Sequence, residues 1–149
     1  MIKYNKKNKF TINFKKPRHG WLPFVFLNGK NPMIYISSSG VFNPFYDYVD
    51  ILYDLKYNRK KKIEFFIDQE GYDAKITFIN RGLYVLIETE TLSKSKRRKH
   101  LKKSKAIFLK KQVIFEMKIK LSNLFRENKQ EMCNWIYNFE FNKGKLYRI

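Results

Sequence analysis

Polar and apolar positions alternate with a period of two through much of this chain, and that period predicts strands. Phe10, Ile12 and Phe14 share one side of a short strand from Lys9 to Phe14, with Thr11 and Asn13 on the other. Lys15 to Gly20 interrupts it. Trp21 to Leu27 is dense in aromatic and aliphatic residues, Asn28-Gly29 supplies a hairpin turn, and Met33 to Ser37 returns. Pro23 lacks an amide hydrogen, which predicts a sheet edge or a bulge for its strand. Between 62 and 89 three strands form a meander with Gly-containing turns. The residues predicted to face inward are Ile63, Phe65 and Ile67, then Ala74, Ile76 and Phe78, then Leu83, Val85 and Ile87.

The period changes to that of a helix at two places. After the loop Ser37 to Gly40, Asn43 is a suitable N-cap and Pro44 a suitable first helical residue. Phe45, Tyr48, Val49, Leu52 and Leu55 then form one stripe, with Asp47, Asp50 and Asp54 on the opposite face. From Lys110 to Arg126, Val113, Met117, Leu121 and Leu124 recur at helical spacing beside Phe125. Residues 129–139 suggest a further short helix carrying Met132, Trp135, Ile136 and Phe139. Residues 91–105 lack apolar periodicity and read as an exposed basic loop, with room for a short strand from Ala106 to Leu109.

This order predicts an α+β fold in a single domain spanning 1–149. Its sheet is mostly antiparallel, an N-terminal hairpin plus a three-stranded meander, with helices packed on one face. The opposite face of the meander would carry Phe66, Ile79, Tyr84 and Leu86 among Glu64, Lys75, Thr77 and Glu88. Such a face is too apolar for ordinary surface. The expectation is that the N-terminal hairpin covers it, the alternative being a partner.

Charge adds what periodicity does not. Thirty-two Lys and Arg against thirteen Asp and Glu give a net charge of +19, unevenly spread. Residues 1–46 hold eight basic residues and no acid; residues 91–111 hold ten and no acid. A field of this sign attracts polyanions. The candidate polyanion-binding residues are Lys94, Lys96, Arg97, Arg98, Lys99, Lys102, Lys103 and Lys105, together with Lys60, Lys61 and Lys62. A composition favouring Lys, Asn, Ile, Phe and Tyr also fits an AT-rich genome, which raises lysine without removing acids.

Candidate chemistry is sparse. One cysteine, Cys133, excludes an internal disulfide and a multi-cysteine zinc site, and its apolar neighbours suggest a buried thiol. His19 lies in a loop and His100 in the cationic run, neither with an orienting partner. Asp68, Glu70 and Asp73 surround one turn without the spacing of a calcium loop. Arg81 to Leu86 does not satisfy the RNA-recognition signature that it superficially matches. The expectation is no catalytic residue, no metal and no cofactor. No apolar run approaches the ~18 residues of a membrane helix, and the basic N-terminus lacks a signal-peptide pattern, so a cytoplasmic protein without a transmembrane segment is expected.

The segment from Trp21 through Ile36 and Ser38, Asn43-Pro44-Phe45 opening a helix, and Ile67-Asp68-Gln69-Glu70-Gly71 together resemble small uncharacterised bacterial proteins of the immunity-protein type. The resemblance covers about residues 19–90. It implies a soluble binding protein without catalytic residues and supplies no site residue. Two functions follow as expectations. The first is a non-enzymatic module whose basic surface binds nucleic acid non-specifically. The alternative is an immunity or inhibitor-type protein that binds an acidic protein partner such as a toxin.

Overall fold

A computed structural model describes residues 2–39, 44–69, 71–93, 100–132 and 148–149. Strands β1 (Phe10–Phe14), β2 (Trp21–Asn28) and β3 (Asn31–Ser39) precede helix α1 (Phe45–Lys56). Strands β4 (Lys62–Asp68), β5 (Tyr72–Arg81), β6 (Tyr84–Ser93) and β7 (His100–Leu109) follow, and helix α2 (Lys110–Glu127) comes after them. The architecture is α+β with two antiparallel sheets, one ordered β1-β2-β3 and the other β4-β5-β6-β7. Among the described residues, no helix is long and apolar enough to cross a membrane.

The meander forms in the register that alternation dictates, with Phe65 opposite Ile76 and Phe78 opposite Ile87. Ile63, Phe65, Ile67, Ala74, Ile76, Phe78, Val85 and Ile87 are all buried in one core. Leu83 departs from expectation and is 78% exposed. Arg81 pairs with Tyr84, so Gly82 and Leu83 are the two connecting residues rather than ladder members. Gly82 takes φ +67°, which a side chain would resist.

The three-stranded sheet joins the same core as the helices instead of covering the far face of the meander. The rings of Phe10 and Phe108 meet at 5.4 Å, and Thr89 Oγ1 donates to the carbonyl oxygen of Met33 at 3.1 Å. Both contacts lie on the side where α1 and α2 pack, because inward alternation places Thr89 with Val85 and Ile87. On the far face, Tyr4 from the segment before β1 packs against Tyr84, with centroids 4.7 Å apart and ring planes tilted by 40°. Asn8 Nδ2 donates to the carbonyl oxygen of Ile107 at the β7 edge.

β2 is a central strand, not an edge, despite Pro23. Lys15 N donates to Pro23 O at 2.8 Å, so the missing Pro23 amide also faces the β1 side, beyond the last β1 pair Phe14–Phe24. The ladder thus loses its bond where β1 is already ending. The bulge lies further on, between Phe26 and Leu27. The β1–β2 connection turns tightly at His19 (φ 51°) and Gly20 (φ 76°), with Arg18 and Trp21 exchanging both backbone hydrogen bonds.

In α1 the predicted stripe is buried, but so is Asp54, at 4% exposure. It lies near the helix end, where Lys60 reaches it at 3.0 Å and Arg59 at 3.9 Å. Pro44 flanks the helix start without a side-chain cap, and Asn43 lies outside the described residues. α2 buries Val113, Met117, Leu121 and Leu124, the predicted stripe. Of the expected helix over 129–139, Met132 is buried in the core after a run of turns; residues 133–139 lie outside the described part, Cys133 among them.

Candidate polyanion interface

The basic stretch is not one continuous loop. Residues 91–93 complete β6 and residues 100–105 begin β7. The strand is weakly visible in sequence because its apolar residues cluster at its C-terminal half, Ala106 to Leu109. Its lysines instead find their reason across the ladder. Lys105 lies opposite Glu88 and Lys103 opposite Glu90, and opposed charges on one face of an antiparallel pair are favourable. Lys103 Nζ closes on Glu90 at 2.9 Å.

Among the described residues, β7 is the last strand of its sheet. A lysine-rich outer strand also discourages pairing with a further chain. Lys102, Lys103 and Lys105 are exposed, and alternation sends Lys103 and Lys105 to the outer face. Lys94, Lys96, Arg97, Arg98 and Lys99 lie outside the described residues.

Lys60, Lys61 and Lys62 lead into β4, at the opposite edge of the four-stranded sheet. Lys60 is held by Asp54, Lys61 is exposed, and Lys62 bonds Glu64 at 2.9 Å. Lys75 reaches the same Glu64 carboxylate at 3.0 Å. Hydrogen bonds from Lys62 and Lys75 hold the Glu64 carboxyl below its ordinary pKa.

The outer face therefore brings Lys62, Lys103 and Lys105 onto one surface, but mixes them with acids. A shallow hollow of about 430 Å³ is lined by Lys62, Lys75, Glu88, Glu90, Lys103 and Lys105. Its lysines are largely matched by carboxylates. Lys102 lies on the other parity of β7, opposite Thr91.

The acid-free first 46 residues make a different surface. On β1 the outward positions are Thr11 and Asn13, with exposed Lys9 and Lys15 just before and after the strand; on β2 they are Trp21, Pro23, Val25 and Leu27. Asn13, Val25 and Tyr35 form one row across the three strands. Tyr35 is 65% exposed. A hollow of about 370 Å³ is lined by Asn13, Lys15, Pro23, Val25, Tyr35 and Gln69, among others. Gln69, from the β4–β5 connection, accepts from Ser37 N through Oε1 at 2.7 Å, which fixes its amide at the β3 rim.

Sequence reasoning missed this face because it sought cations in runs. The missing acids of residues 1–46 were visible, but Lys9 and Lys15 stand six residues apart at the two ends of β1, and only the strand brings them to one face. Comparison of the chain with protein-family models, curated proteins and solved structures finds no match.

Proposed function

We propose that this protein is a non-enzymatic binding module for a polyanion, with nucleic acid the ligand, held mainly through phosphates and with little sequence preference. The observation that carries the reading is the charge distribution: +19 overall, with two long stretches lacking any acid. Phosphate contacts from lysine and arginine supply affinity without reading bases. Exposed Lys102 and Lys105 lie within one of these stretches.

Fluorescence anisotropy with a labelled duplex, at two salt concentrations, tests the reading. Affinity should fall with salt by a log–log slope of about −0.9 per phosphate contacted. Replacing Arg97, Arg98, Lys102 and Lys103 by Ser should flatten the slope by about 0.9 for each phosphate that the variant no longer neutralises. No binding even at low salt would refute it. If the protein is instead an inhibitor of immunity type, the same four changes would slow association with an acidic protein and nucleic acid would stay unbound at physiological salt.

A further inference from the structure

We infer that the outer face of the β1-β2-β3 sheet is a platform for single-stranded nucleic acid, with the Tyr35 ring as a base-stacking surface. The inference rests on the nucleic-acid reading and gives it a place and a substrate class.

Three features converge there. The first is an available aromatic face. Tyr35 projects from β3 at 65% exposure, and among the described residues no ring contact involves it. A base stacks on such a ring whatever its identity, because every base has a π-face. A base within a duplex is already stacked and cannot do so, which selects single strands.

The second is charge. Lys9 and Lys15 flank β1 at its two ends, where each still bonds the β2 hairpin through its backbone, roughly 20 Å apart at about 3.3 Å per residue. Both are exposed, and the whole of residues 1–46 contains no carboxylate. Two acids do approach this sheet, Glu116 at the β1 edge, where it accepts from Ile12 N at 3.3 Å, and Glu131, which pairs with Lys16 at 2.9 Å; neither pairs with Lys9 or Lys15 among the described residues. The outer face of the other sheet matches its lysines with Glu64, Glu88 and Glu90, so the two faces differ in the field they offer a phosphate chain.

The third is the polar rim. Asn13 and Gln69 stand on either side of the hollow beside Tyr35, with the Gln69 amide already oriented by Ser37. Asn13 and Tyr35 are two strands apart, about 10 Å, so a base on the ring would have an amide within reach while the backbone follows the lysines that flank β1.

The test is anisotropy with a labelled oligo-dT of about 15 nucleotides, within the span such surfaces bind, beside the labelled duplex. Tyr35→Ala should weaken oligo-dT binding by about fivefold to a hundredfold and leave duplex binding within about twofold. Tyr35→Phe should retain oligo-dT affinity. Lys15→Ser should flatten the oligo-dT salt slope by about 0.7. Circular dichroism and a melting curve check that each variant folds, as the exposure of Tyr35 predicts. Wild-type oligo-dT affinity in Tyr35→Ala would overturn the platform while leaving duplex binding, and the nucleic-acid reading, in place. Failure of the wild type to bind either probe at low salt would overturn both.

Discussion

The hydroxyl of Tyr48 donates to the carbonyl oxygen of Met117 at 2.9 Å, joining α1 to α2 inside the core. Burial, and secondarily the Glu116 carboxylate, push the Tyr48 phenol well above its ordinary pKa. The unfolded chain ionises this tyrosine near pH 10, whereas the folded chain keeps its proton. Its contribution to stability is therefore fully present below about pH 10 and is lost as pH rises toward the folded value. Tyr48→Phe should cost about 1 kcal/mol at neutral pH. Above pH 10 the wild type should lose stability faster than Tyr48→Phe, by up to about 1.4 kcal/mol per pH unit. Urea denaturation at pH 8 to 11 measures this, and parallel curves for the two proteins would contradict it.

Adjacent phenylalanines on β4 test the sheet register. Phe65 is 1% exposed and Phe66 54% exposed on the other side of the strand. Phe65→Ala should cost roughly 3–5 kcal/mol through the cavity left behind. Phe66→Ala should cost much less. Equal denaturation midpoints for the two variants would mean that the strand does not face as described.

The pairing of Lys105 with Glu88 predicts a charge-reversal cycle. Lys105→Glu sets two carboxylates opposite each other and should cost about 0.2–1 kcal/mol. Adding Glu88→Lys should recover most of that loss, and the recovery should shrink in high salt. A double variant no better than the single would argue against this register.

Thr89 ties the two sheets together through its hydroxyl bond to Met33 O. Thr89→Val keeps the shape and deletes the donor, so the carbonyl loses a buried partner. A loss of about 1–3 kcal/mol is expected. Thermal melts of Thr89→Val that match the wild type would show that the carbonyl finds another donor.

Much of the fold was legible because most elements have one buried face and one wet face. The period-two pattern of Ile63, Phe65 and Ile67, and the helical spacing of Val113, Met117, Leu121 and Leu124, report local geometry directly. What was not legible depends on partners distant in sequence. Lys103 and Lys105 look like loop residues until Glu90 and Glu88 stand opposite them. Asp54 looks solvent-facing until Lys60 folds back onto it. Pro23 argues for an edge, and only the end of β1 at Phe14 makes a central strand tolerable. The candidate site was legible as charge and not as place. Its cations at 60–62 and 102–105 fall on opposite edges of one sheet, with acids between them.

Among the described residues, every strand pairs only with its neighbour in the chain, from β1 through β3 and again from β4 through β7. Each sheet can therefore zip up by hairpins, without bringing distant segments together first. The long closures come when the two sheets and α2 meet: Asn8 reaches Ile107 across 99 residues, and Glu116 meets Ile12 across 104. Because closure entropy grows as the logarithm of loop length, that step costs roughly 2 kcal/mol more than closing a loop a tenth as long. Folding of this chain is then expected to run from local ribbons to a late docking, in which two sheets already made and α2 close on one another.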